Sequence, residues 1–253
     1  MSTVSQVLIS TTIELQNLPS LSQFALAGGT NLAIRYGHRE SQDIDLFCSE
    51  IVGIKHLEQI ESEVVTFYGE KNVTGIEYPA GKESNQHTFL RFWVFKPNAT
   101  PIKVEIIQNM KMIDQVDTIN KIRLASTRDI GLFKLKSGSS RAAKKDIYDL
   151  DFITEKIPLP ELFDGLKTKK DKFDQKEHQN IFELDEEGCP TQDPYLLLKF
   201  DGKAPQSKIK PIHSNDNILI PHGGKSWIAA KISWRLKVRG LFRKLGVEFK
   251  PRY

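Results

Sequence analysis

The sequence predicts an α+β fold, in which a mixed sheet flanked by helices leads into a mainly helical C-terminal region. Three observations carry this. Short runs rich in β-branched and aromatic residues alternate with helical patterns through the first half. From about Leu124 the apolar spacing turns helical. The 253 residues, 39% hydrophobic and 27% charged, have the composition of an ordinary globular protein long enough to bury a core without staples.

Taken in order, the first strand is "FALAGG" (Phe24 to Gly29), closed by its two glycines, with Thr30 as the cap of a short helix over Asn31 to Tyr36. "DIDLFC" (Asp43 to Cys48) follows as a strand. In "IKHLEQIESEVVTFYG" a helix is predicted from Ile54, Leu57, Ile60 and Val64 or Val65. Three more strands are "NVTGIEY" (Asn72 to Tyr78), "HTFLRFWVF" (His87 to Phe95) and "IKVEII" (Ile102 to Ile107). Two helices come next: "STRDIGLFKLKSG", with Thr127 or Asp129 as cap and Gly138 as stop, and "RAAKKDIYDLDFITEK", with Ala143, Ile147, Leu150 and Ile153 or Thr154 on one face. "IPLPELFDGLKTKKDKFDQKEH" continues helical, Asp185 to Pro194 is a loop, and "YLLLKF" leads into a stretch containing proline and lysine. "HGGKS" lacks the leading glycine of a phosphate-binding loop and reads as the start of a final basic amphipathic helix. Trp227, Ile228, Ile232 and Leu236 form that helix's expected core face. These elements divide the chain into a core at 1–123, a helical region at 124–185 that completes a cleft, and a basic region at 186–253.

Several function classes fall away on composition. Cys48 and Cys189 have no metal-binding spacing and fit a reduced, cytoplasmic setting. The N-terminus does not read as a secretory signal, and no apolar run reaches membrane-spanning length. No HExxH or GxSxG pattern is present. Charge is unevenly spread: from Tyr195 to Tyr253 there are 13 lysines and arginines against 3 acids, +10, so the rest of the +4 chain sums to −6. That tail either meets an acidic partner such as nucleic acid or forms a cationic face, solvated or docked on the acidic remainder.

The chemistry is concentrated in "ALAGGTNLAIRYGHRESQDIDLF". Residues two apart on a strand point to one side, so Asp43 and Asp45 share a face while Ile44 and Leu46 share the other. Their repulsion is relieved by a hard divalent ion such as Mg²⁺ or Mn²⁺. Gly28 and Gly29 before a helix leave backbone N–H groups suited to phosphate. Glu105 interrupts the apolar run "IKVEII" and supplies a third acid. Metal plus phosphate at neighbouring strand ends points to phosphoryl or nucleotidyl transfer.

"GGTNLAIRYGHRESQDIDLF" followed by "DIGLFKLKSGSSRAAKKDIYDLDFI" resembles the AbiEii/MenT toxins of the DNA polymerase β-like nucleotidyltransferase superfamily, over Phe24 to Ile153. The resemblance implies a Mg²⁺-dependent enzyme moving a nucleotide from an NTP to an acceptor, with tRNA 3′ ends as a target class, within a type IV toxin–antitoxin system that has a cognate antitoxin. It implies that Gly28, Gly29 and Thr30 grip phosphate and that Asp43, Asp45 and Glu105 hold metal. Lys134 matches a family lysine, and Asp146 and Asp149 match the aspartates of a "KDxxD" helix. Arg39 and Ser41 are candidate phosphate contacts. Two rival readings are a transferase acting on small molecules of the antibiotic class and a binding module without turnover.

Overall fold

The computed structural model describes residues 3–83, 85–141, 143–186, 188–199 and 217–250. The chain begins with a helix, α1 (Gln6–Gln16), capped by Ser5, whose hydroxyl accepts from the Leu8 N–H. Then come β1 (Ala25–Leu26), α2 (Gly28–Tyr36), β2 (Ile44–Phe47), α3 (Gly53–Tyr68), β3 (Val73–Glu77), β4 (Phe89–Val94) and β5 (Ile102–Ile107). A small hairpin, β6 (Asp117–Ile119) and β7 (Ile122–Leu124), precedes α4 (Thr127–Arg141), α5 (Lys144–Ile153), α6 (Leu159–Lys172) and α7 (Trp227–Leu245).

Among the described residues seven strands join in one sheet, in the order β3-β4-β5-β2-β1-β7-β6. The interior strand β5 is buried along its whole length, antiparallel to β4 and parallel to β2. Its register places Glu105 opposite Asp45 on one side and Arg91 on the other. Neighbouring residues on adjacent strands lie close enough to interact directly, so this register brings distant acids and bases together.

Two apolar clusters hold the layers. One packs α1 and α3 against the sheet through Leu15, Leu57, Ile60, Val64 and Val104. The other joins Phe47, Phe89 and Ile107 of the sheet to α4–α7 through Leu132, Ile147, Leu162 and Trp234. Between them Asn31, fully buried, donates to the carbonyls of Leu26 and Ala125, fixing α2 against the sheet end.

The structure corrects several local expectations. The strand holding Ala25 is only two residues long, and the glycines open α2 instead of closing a strand, with Ala27 as the uncapped N-terminal flank. Thr30 is therefore inside the helix. For α4 the cap is Ser126, whose hydroxyl accepts from the Asp129 N–H, and the helix runs through Gly138 to Arg141. Ser126 in turn donates to Asp129, which also accepts from the N–H groups of Ile113 and Asp114. Asp129 thus ties a loop to the helix start.

On α7 the buried face is Ala230, Trp234, Val238, Leu241 and Phe242. Ile228, Ile232 and Leu236 are 68%, 55% and 61% exposed, so the expected core face points outward and of it only Trp227 packs inward. Ser226 caps the helix through the Ala229 N–H, as the "HGGKS" reading expects. Part of the basic tail is docked on the chain's own acids: Lys225 and Lys237 both bond Asp151 at 2.7 Å, and Lys244 lies 3.0 Å from Asp164. The stretch from Phe200 to Asp216 lies outside the described residues. Among the described residues no helix is long and apolar enough to cross a membrane.

Candidate active site

The start of α2 sits against the end of β2. Gly28 has φ +61°, a conformation that favours glycine, and a Cβ there would lie 1.9 Å from Asp45 Oδ2. A Cβ on Gly29 would lie 2.2 Å from an Arg39 guanidinium nitrogen. Both glycines are therefore required by close approach: the first lets a carboxylate reach the helix start, the second lets a guanidinium do so. Among the described residues no side chain caps α2, which leaves N–H groups of its first turn without a side-chain partner. Gly28→Ala should cut activity at least about tenfold, because the helix start and Asp45 cannot both keep their places. Steady-state turnover beside a melting curve would separate this from global unfolding.

Asp43 and Asp45 line two narrow clefts of about 50 and 30 Å³ on one side of the sheet. Burial raises the Asp43 carboxyl above its usual value, and neighbouring Asp45 raises it further, while Lys103 opposes both. Lys103 is the counterion of the site, with Nζ 3.3 Å from Glu105 Oε2 and 3.7 Å from Asp43 Oδ2. Burial lowers the Lys103 pKa, but the surrounding acids more than offset it and leave it raised.

Glu105 lines the larger of these clefts but is 2% exposed, with Oε1 accepting from Arg91 Nε at 2.7 Å. Both its oxygens are engaged, one by Arg91 and one by Lys103. Burial still raises its carboxyl, with Asp45 adding to the rise. Among the described residues no three His, Cys, Asp or Glu side chains form a group that could hold a metal ion. Glu105 therefore stands beside the Asp43–Asp45 pair with both of its oxygens held by cations. Asp43 and Asp45 remain hard oxygen donors side by side, which suits Mg²⁺, a cation bound by one or two carboxylates together with substrate phosphates.

Behind this pair lies a buried ion network. Asp149, fully buried, takes Arg39 Nε at 2.6 Å and another Arg39 nitrogen at 2.7 Å, His38 Nε2 at 2.7 Å and Lys134 Nζ at 2.8 Å. Burial would raise its pKa, but Arg39 and Lys134 hold it well below the usual carboxylate range. Asp146 bonds Lys134 at 2.9 Å and Ser137 at 3.2 Å. Burial pulls the Lys134 ammonium down, and the two aspartates more than restore it.

Of the residues read from the sequence, Gly28, Gly29, Asp43, Asp45, Glu105 and Lys134 line the 50 Å³ cleft, joined by Ser137. Arg39 and Ser41 line its 30 Å³ neighbour with Lys145. Thr30 Oγ1 lies 2.8 Å from Ser41 Oγ and 2.5 Å from the Asp43 carbonyl, so these hydroxyls tie helix to strand. Asp146 and Asp149 line neither cleft and act on it through Lys134 and Arg39. Sequence reasoning missed Arg91. Lys103 was given no role either, although a lysine two residues before a buried acid was a readable signal.

A helix start opened by close-packed glycines, two aspartates at the next strand, an acid on the parallel neighbour and a lysine thus line one cleft of an α+β sheet. A model of the family described as nucleotidyl transferase AbiEii toxin, type IV TA system, matches residues 14–211. The chain therefore belongs to the AbiEii nucleotidyltransferase toxin family and is a nucleotidyltransferase. No curated protein matches the sequence significantly. MenT4, a nucleotidyltransferase toxin of Mycobacterium tuberculosis H37Rv, superposes on 95% of this chain and 83% of its own with TM-score 0.52 at 16% identity, a likeness of fold. JHP933 of Helicobacter pylori superposes on 94% of this chain and 92% of its own, with TM-score 0.46 at 17% identity.

Proposed function

We propose that this enzyme moves a nucleoside monophosphate from an NTP to the 3′ end of tRNA, in a Mg²⁺- or Mn²⁺-dependent reaction, as the toxin of a type IV toxin–antitoxin system with a cognate antitoxin. One observation carries the chemistry: Asp45 packs on the bare Cα of Gly28 at an uncapped helix start, beside Asp43 and facing Lys134. Carboxylates, helix N–H groups and a cation then converge where a triphosphate would lie. Asp43 and Asp45 would hold the divalent ion, which when bound supplies charge neutralisation to the phosphates. Lys134, fixed by Asp146 and Asp149, presents a positive charge to the cleft. The α2 N–H groups orient the phosphates, and Glu105 keeps Lys103 placed between the acids.

The RNA acceptor is favoured by α7, where Lys231, Arg235, Arg239 and Arg243 recur every fourth residue and the last three are exposed. Such a row gains by displacing counterions from a phosphate backbone. Incubating the purified chain with total tRNA and each labelled NTP in turn, with Mg²⁺, should yield one labelled RNA band. Label on an aminoglycoside and none on RNA would overturn the acceptor, and no label from any NTP on either would overturn the reaction.

A further inference from the structure

Beyond the acid cleft lies a larger cavity of about 350 Å³, formed by α4, α6 and the segment that follows α6. Phe133 and Phe182 line both spaces, so the two adjoin. Size separates their uses. Sites for small molecules run to roughly 300–1,000 Å³, so the 50 Å³ cleft has room for phosphate oxygens but not for a nucleoside, while its neighbour falls within the range.

The larger cavity also holds polar atoms with nothing to bond. Lys169 is 8% exposed, and its Nζ has no hydrogen-bond partner among the described residues. His178 Nδ1, lining the same space, is likewise buried without a partner. Buried polar side-chain atoms are satisfied in the large majority of cases, and an unmatched ammonium is among the most costly exceptions. Lys169 instead lies 3.7 Å from the centroid of the Phe133 ring. Attraction to Phe133, with the fields of Asp129 and Glu183, offsets part of the cost, yet burial still pulls the ammonium down to about 8. The group is poised to donate to something that enters.

The walls indicate what enters. Phe133, Phe173 and Phe182 give the cavity flat aromatic surfaces on which a base ring can stack, while Lys111, Lys136 and Lys170 line it as well and suit the phosphates attached to such a ring. Resting on the nucleotidyl-transfer reading above, we propose that this cavity receives the nucleobase of the donor NTP, with its ring against the phenylalanines and Lys169 Nζ donating to a ring carbonyl. Cytosine, uracil and guanine carry such a carbonyl; adenine does not. Lys169 is then a specificity residue of the donor site, and the triphosphate runs from this cavity toward Asp43 and Asp45.

The test compares equilibrium binding, with Mg²⁺ present, of the four NTPs and of inorganic tripolyphosphate to the full chain. At least one of GTP, CTP and UTP should bind about tenfold or more tighter than tripolyphosphate, and Lys169→Met should remove most of that advantage while tripolyphosphate binds as before. Methionine keeps the apolar stem and removes an unmatched charge, so the variant should stay folded. Phe173→Ala, at a half-exposed ring of the same cavity, should weaken the same nucleotide without touching Lys169. Unchanged NTP binding in Lys169→Met, or ATP as the tightest ligand, would overturn the proposal while tripolyphosphate binding left the acid cleft intact. If the wild-type chain bound neither tripolyphosphate nor any NTP, the nucleotidyl-transfer reading itself would fall, and this proposal with it.

Discussion

Asp45→Asn is expected to stop nucleotidyl transfer while the chain stays folded. Asparagine keeps the volume beside Gly28, where a Cβ would already sit 1.9 Å from the carboxylate oxygen, so packing at the helix start is preserved. What disappears is one of two like charges held on the same side of the sheet. Asp43 and Glu105 both have carboxyls raised by burial and then by the nearness of Asp45, so the wild-type site keeps its charges together at a cost. Removing one relieves repulsion, and the melting temperature should hold or rise slightly. Transfer should fall by roughly 10²–10³-fold or more, the order seen when a preorganised charge-stabilising group is lost. Near wild-type turnover with a normal melting curve would remove Asp45 from the chemistry.

Asp149→Ala should fail in the opposite manner, through the fold. Three side chains, Arg39, His38 and Lys134, converge on this one buried carboxylate. Deleting it leaves Arg39 and Lys134 buried with too few acids, and breaking such a group by removing one partner costs about 3–5 kcal/mol. For a chain of this length the melting temperature should then drop by on the order of 10 °C. The sign of the pH dependence follows from the depressed folded-state pKa. Stability from Asp149 is fully present above the ordinary carboxylate range, near about pH 4, and is lost as acidification proceeds through its lower folded value. Thermal melts from neutral to acid pH should show a steep acid limb in the wild type that is shallower in Asp149→Ala. Parallel limbs would mean that other carboxylates govern acid unfolding.

These two residues also show how legible the chain was. The nearness of Asp43, Asp45 and the glycines could be read because it depends on alternation and local sterics, which a sequence displays. The role of Asp149 could be read only through resemblance, since its cations come from more than a hundred residues upstream and from another helix. Glu105 shows the same limit: its acidity within an apolar run was plain, but its pairing with Arg91 required the β4–β5 register. The β6–β7 hairpin was missed because its turn is Asn120-Lys121, both at positive φ, where an Asn-Gly pair would have signalled the same geometry. On α7 two apolar stripes run at helical spacing, and periodicity has no means of telling which one faces the core. Trp234, whose indole N–H donates to the Leu197 carbonyl, decides it.

The grip of Lys225 and Lys237 on Asp151 has a mechanical corollary. Asp151 lies on α5, two residues beyond Asp149 and five beyond Asp146, so the far end of the chain is bolted to the rod that carries the anchors of Lys134. A ligand or protein that pried α7 from its seat would loosen Lys134 and Arg39 without ever entering the cleft. The chain's late helix and the buried ion network thus share one support, since Asp151 and Asp149 stand two residues apart on α5 and Lys225 and Lys237 reach Asp151 from 74 and 86 residues downstream.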